Sequence, residues 1–408
     1  MASKVVLAKQ LVDGTGRPPV QDAVVVIEGK KIAAAGSRQE IDIPKDAEII
    51  DGSQYTVMPG LMDVHWHVGG DFRAQRVLRM ALHRGITTIG TVSGGPAGCR
   101  LRDAIESGDV ENCARLVVGC IVNATNGHVK GRTADGPWEI RKAVREMVQE
   151  GADFIKTAAS GGFWSEHEHC AMTNYTQEEL NALVDEAHAW GRPVAVHAHT
   201  QPGLGFSIEA GADMIHHGAF IDEAALQGIA AKKLYYVPTL RVTSDKNISA
   251  WPDRPWMMKE MKESQPIHRA GVRRAKELGI TIALGTDGPG SSYGWVPGDA
   301  TPWEMIELMQ CGLSPMEVVV IATRNTAAAM GKLDSLGTIE PGKQADLLVV
   351  DCDVTKDIAP LYEQENILLV MKDGQVESTD ERLKKYYQVR RPGKTLRPKG
   401  VMTKVGIA

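Results

Sequence analysis

Leu61-Met62-Asp63-Val64-His65-Trp66-His67 reads as a short, largely apolar strand closed by two histidines. Residues two apart in a strand face the same side, so His65 and His67 project together from its C-terminal end. One histidine in a core is usually a satisfied polar group. Two side by side are costly to bury unless something binds them. A metal ion is the simplest partner, because neutral imidazole is the commonest protein metal ligand.

Working outward, seven further apolar runs resemble this one. They lie at 86–92, 115–122, 153–158, 193–199, 213–217, 234–240 and 280–286. Helix-like segments fall between most of them, among them 138–150 and 177–190; Thr176-Gln-Glu-Glu179 opens the second with a capping box. Continuous apolar strands are expected of a parallel sheet covered on both faces. Eight strand–helix units over 58–330 therefore predict an α/β fold, a (β/α)8 TIM barrel. A doubly wound open sheet is the alternative. The placing of polar residues favours the barrel, whose enzymes gather catalytic groups from several strand ends.

Those ends carry chemistry. The fourth strand runs Asp153-Phe-Ile-Lys156. Lysine is rarely buried without a partner, so an inward Lys156 needs a carboxylate or a chemical modification; otherwise it reaches solvent. The fifth repeats the first: Val194-Ala-Val-His197-Ala-His199. The sixth ends His216-His217, adjacent residues of which one at most should face the pore. The eighth closes on Asp287-Gly288, which would also serve as a turn. Histidines or an acid at four strand ends, with a lysine at a fifth, predict a metal site.

Both chain ends look different. Val5-Val-Leu-Ala, Ala23-Val-Val-Val-Ile and Lys31-Ile-Ala-Ala-Ala are short strand readings separated by Asp-Gly and Glu-Gly turns. The pattern returns at Ala345-Asp-Leu-Leu-Val-Val-Asp and Ile367-Leu-Leu-Val-Met-Lys-Asp-Gly. Residues 1–57 and 331–408 are thus expected to pair into one small β-sandwich domain beside the barrel of 58–330. The tail 379–408 is basic and reads as a solvated or subunit-packing extension.

The 408 residues contain 46 Lys and Arg against 51 Asp and Glu, a formal charge of −5. That balance argues against a binder of phosphate backbones. No apolar run nears the roughly 18 residues of a membrane span. The opening residues are too briefly apolar for a signal peptide, which makes the cytoplasm the expected location. Six scattered cysteines without a C-x-x-C pair read as buried thiols.

In chain order, Met58-Pro-Gly-Leu-Met-Asp-Val-His65-Trp-His67, Phe154-Ile-Lys156, His197, His216-His217-Gly and Gly285-Thr-Asp287 resemble the motifs of the amidohydrolase superfamily. Gly337-Thr-Ile-Glu-Pro-Gly-Lys-Gln-Ala-Asp-Leu-Leu-Val resembles the end of its flanking β domain. Ile155-Lys-Thr-Ala-Ala-Ser-Gly-Gly, Val196-His-Ala-His and Val237-Pro-Thr-Leu are similar to the imidazolonepropionase-like branch with a strand-4 lysine. That branch includes prolidases, other metallo-carboxypeptidases and amidases.

The resemblance implies two divalent ions, usually zinc. His65, His67 and Asp287 would hold the more buried one, and His197 and His217 the other. Lys156, carboxylated by CO2, would bridge both. His217 is preferred to His216 because the family pair is Glu-His-Gly, and this sequence has His216 in place of the Glu. The implied reaction is attack of a bridging hydroxide on an amide, with Asp287 taking the proton and delivering it to the leaving amine. The expected substrates are Xaa-Pro dipeptides or N-acyl amino acids. The alternatives are amides of xenobiotics or mycotoxins, ureas and carbamates, or the cyclic amides and deamination handled by one-metal relatives. His128 and His199 are the candidates for contact with substrate, and Tyr236 and Arg241 for holding a substrate carboxylate. The loop 163–169, with His167-Glu-His169, should overhang the mouth as a solvated lid; Trp164, Trp251, Trp256 and Trp295 are set in predicted loops. A closed homo-oligomer is expected, with no nucleic-acid or membrane partner.

Overall fold

The computed structural model describes residues 3–70, 72–288 and 296–384; Trp295 and the tail beyond Lys384 lie outside them. Seven parallel strands follow one another around a barrel: Leu61–Trp66, Ile86–Thr91, Arg115–Asn123, Phe154–Ala158, Val194–Ala198, Met214–His217 and Tyr235–Val237. Each matches a predicted run. The seventh is shorter than expected because Pro238 has no N–H to give the ladder and Thr239 is left-handed at φ 53°. The chain then turns into a short 3-10 helix, Leu240–Thr243.

The eighth run is corrected from a regular strand to a sparsely paired extended segment. Tyr236 N donates to Thr281 O at 3.0 Å and Ala283 N to Tyr236 O at 2.9 Å. On the other side Val64 N donates to Leu284 O at 2.9 Å and His67 N to Gly288 O at 2.6 Å. These bonds close the barrel between the seventh and first staves. The segment's regularity ends because Asp287 adopts φ 58°. At Gly285 a Cβ would lie 2.4 Å from Val237 Cγ1 and 2.8 Å from His65 Cβ, so only glycine lets this stave close against its neighbours.

The outer layer follows the sequence signals. Helix Gln177–Ala189 starts at the predicted capping box, with Glu179 N donating to Thr176 Oγ1 and Thr176 N donating to Glu179 Oε2. Such a cap is worth about 1 kcal/mol.

Both chain ends join one seven-stranded mixed sheet, the β-sandwich domain. Its order is Gln375–Thr379, Ile367–Lys372, Leu347–Val350, Glu48–Pro59, Lys4–Leu11, Val20–Glu28 and Lys31–Ser37. The ends meet where Leu347–Val350 runs antiparallel to the last residues of Glu48–Pro59. Alternation fills both faces. Val6, Val25 and Ile27 face one apolar cluster, while Val5, Val24 and Val26 face another. Leu348, Val350 and Val370 join the barrel's own core. Arg115 on the third stave adds ion pairs to Asp346 and Asp373, both at 2.6 Å. No helix among the described residues is long and apolar enough to cross a membrane.

Candidate metal centre

Two groups of donors converge at the strand ends. In the first, Asp287 Oδ1 lies 2.8 Å from His67 Nε2 and 3.2 Å from His65 Nε2. In the second, ligand atoms of His197, His199 and His217 all lie within 4.8 Å of one another. The rings of His65 and His217, 4.8 Å apart, join the groups. Burial strips four of these histidines of charge: it pulls His65 down to about 3 and His197, His199 and His217 well below the ordinary imidazole range. Burial opposes ionisation of Asp287, but hydrogen bonds from His65 and His67 outweigh it and hold the carboxyl well below its usual range. Neutral imidazoles and one carboxylate are donors suited to a divalent ion.

Lys156 tests that fit independently. Its side chain is fully buried and its Nζ has no hydrogen-bond partner. Burial lowers the amine to about 7, with only the charge of Asp287 opposing. Its own charge in turn acts on His65, His197, His199, His216 and His217, members of both groups among them. A buried, unpaired amine among lone pairs is unfavourable as it stands. The donors fit the two ions, and His199 joins the second group rather than standing only as a substrate contact.

A family model for the amidohydrolases matches residues 56–376. The chain belongs to the amidohydrolase family. Ochratoxinase from Aspergillus niger is 28% identical over 428 aligned positions, taking in 91% of this chain and 86% of that protein. A solved Xaa-Pro dipeptidase with methionine in its active site matches with TM-score 0.83 and 29% identity, covering 92% of this chain and 99% of the other. A prolidase complexed with N-methylphosphonate-L-proline gives TM-score 0.83 and 27% identity, with 92% and 99% covered. This amidohydrolase is thus a metal-dependent enzyme of carbon–nitrogen bonds.

Several expectations about this amidohydrolase are corrected by position. His216 and His217 both turn to the site, although neighbours in a strand should diverge. Met214 faces the cluster with Phe154 and Ala195 that fills the barrel, so alternation points His216 inward. His217, at φ 74°, leaves the strand conformation and swings in as well. Tyr236 and Arg241 are not available to a substrate carboxylate. Tyr236 packs outward among core residues and its hydroxyl donates to His217 O at 3.0 Å. Arg241 donates from Nε to Thr286 O at 2.7 Å, from Nη2 to Asp287 O at 2.8 Å and from Nη1 to Asn247 Oδ1 at 3.2 Å. Both brace the bends that present ligands.

Other braces escaped the sequence reading. Asp63 Oδ1 accepts from the backbone of His65 at 3.1 Å and Thr286 at 3.2 Å, and Oδ2 from Thr301 Oγ1 at 2.8 Å. Its acid in a buried strand was a legible signal; burial raises it to about 6 against those bonds. Glu304 accepts from the backbone of Leu240 and Arg241 at 2.7 and 2.6 Å, and burial drives it up to about 8. His268 Nε2 donates to His217 O at 3.0 Å.

His216 holds His65 directly, with Nδ1 to Nδ1 at 2.7 Å. Two such nitrogens share one hydrogen. For His65 to offer its Nε2 lone pair to a cation, its hydrogen sits on Nδ1 and His216 accepts it. Replacing His216 with leucine is expected to weaken metal binding about 10–100-fold, the usual cost of losing such a partner, as read by competition with a chelator. Unchanged affinity would show that His65 needs no such partner.

Proposed function

We propose that this chain hydrolyses the amide bond of an amino-acid derivative, an Xaa-Pro dipeptide or an N-acyl amino acid, with two zinc ions and a carbamate on Lys156. The observation that carries this reading is the buried, unpaired Lys156 amine beside two converging donor groups. Divalent ions there would lower the pKa of a water and polarise the scissile carbonyl. His65, His67, Asp287 and Lys156 would hold one ion, and His197, His217 and Lys156 the other, with His199 placed to contact either ion or substrate. Asp287, the one carboxylate of the first donor group, takes the proton of the attacking water and passes it to the leaving nitrogen. Arg241 and Asp63 keep that carboxylate in place through the backbone of Thr286 and Asp287.

One observation favours a second reading, an amidase of bulky aromatic amides such as the substrate that ochratoxinase is named for. Phe163 sets its ring 4.6 Å from that of His199 and belongs to a cluster with Trp251, Met257 and Met261, while Trp164 packs edge-on to Trp251. Aromatic surface beside the donors suits an aromatic substrate. Chelator-stripped protein, reloaded with zinc, should regain hydrolysis of a panel of Xaa-Pro and N-acyl aromatic amides as it takes up two ions per chain. Full activity in metal-free protein would end both readings, and the order of kcat/KM across the panel chooses between them.

A further inference from the structure

The loop after the fourth stave is expected to be a solvated lid, and most of its residues are exposed. Trp164, Ser165, Glu166, His167 and His169 are exposed, and the His167/His169 pair joins neither donor group. Glu168, between those two histidines, does the opposite. Its Oε1 lies 2.5 Å from His128 Nδ1 and accepts from Gly162 N at 3.0 Å. The side chains of Glu168 and His128 are only 16% exposed. The His128 ring in turn stacks on that of His197, 4.1 Å between centroids and 23° from parallel. A residue of the lid therefore grips a histidine that lies flat on a member of the second donor group.

Three contacts fix the ring. The carboxylate holds the hydrogen on Nδ1, which turns the Nε2 edge away from Glu168. The stack on His197 sets the plane. Gly162 lies against the ring: a Cβ there would be 2.4 Å from His128 Cε1, so only glycine leaves room for it. The same loop holds His197, whose Nε2 is 3.1 Å from Gly161 O.

Resting on the amide-hydrolase reading, we propose that Glu168 is a positioning residue for this reaction. It fixes the tautomer and rotation of His128, so that His128 Nε2 meets the polar group of the substrate at the second donor group. A carboxylate that orients a working imidazole is a general device. Here it is carried by the lid, so substrate contact through His128 requires the lid to be in place.

The test is a double-mutant cycle with an independent spectroscopic readout. Wild-type protein should show a downfield exchangeable imidazole N–H proton from the His128–Glu168 hydrogen bond, lost in both H128N and E168L. This measurement needs no turnover, so it stands even if the chain hydrolyses none of the amides. In kinetics, E168L should lower kcat about 10–100-fold at unchanged metal content, the usual cost of losing a partner that orients a working imidazole. E168Q keeps an acceptor for Nδ1 and should recover most of that loss. The double variant E168L/H128N should be no slower than H128N, because Glu168 acts only through His128. Gly162→Ala, which displaces the ring from the other side, should mimic H128N. Additive losses in the cycle, or a downfield proton that survives H128N, would overturn the proposal.

Discussion

Lys156→Met is expected to give a chain that folds at least as well as its parent, binds one divalent ion fewer and hydrolyses amides about a thousand-fold more slowly. The two effects have opposite signs for one reason. The Lys156 amine is fully buried without a hydrogen-bond partner. Replacing an unpaired buried amine with an apolar chain of similar length removes a desolvation penalty and leaves little cavity. On the proposed reading, the active protein loses the side chain that would carry the carbamate bridge between the donor groups. A thousand-fold corresponds to about 4 kcal/mol of transition-state stabilisation, reasonable for one of two cooperating ions. Thermal unfolding in chelator, metal analysis and kcat/KM check the three parts. A variant with two ions and near-parental turnover would remove the carbamate from the account.

Asp287→Asn is expected to lower kcat by about 10³–10⁴ with the fold intact, near the upper end for loss of a positioned acid–base group. The substitution is a clean one. Asp287 sits at φ 58°, a left-handed conformation that asparagine adopts as readily as aspartate. The backbone around it is held by Arg241 on the carbonyls of Thr286 and Asp287 and by Asp63 on the N–H of Thr286, none of which the variant disturbs. The loss should persist at saturating zinc, separating proton transfer from ion binding. Asp287→Ala is a poorer probe because it adds backbone strain. Full recovery of kcat with excess metal would reduce Asp287 to a ligand.

Much of this site is legible in the sequence where alternation applies. His65 with His67, and His197 with His199, stand two residues apart on short apolar runs and do share a side. Lys156 also betrays itself, as a cation in a run too apolar to reach water. Legibility fails where the backbone leaves the strand conformation. The left-handed bend at His217 brings in a side chain that alternation sends outward, and nothing in His216-His217-Gly announces the bend. The bend at Thr239 after Pro238 cuts the seventh stave short. Tyr236 and Arg241 have the chemistry of carboxylate binders, but packing turns both toward backbone carbonyls. Glu168 sits between two exposed histidines on a loop without periodicity, so no pattern marks it as the inward one.

The stave that carries Asp287 has a consequence for anyone redesigning this enzyme. Its neighbours are each fastened to the next stave by a strand ladder, whereas this slat is tied by scattered main-chain links and by buried side chains behind it. Small shifts of the Asp287 carboxylate are therefore best sought at Arg241, Asp63 and Thr301, rear fittings whose adjustment moves the acid while leaving the groups that line the opening as they are.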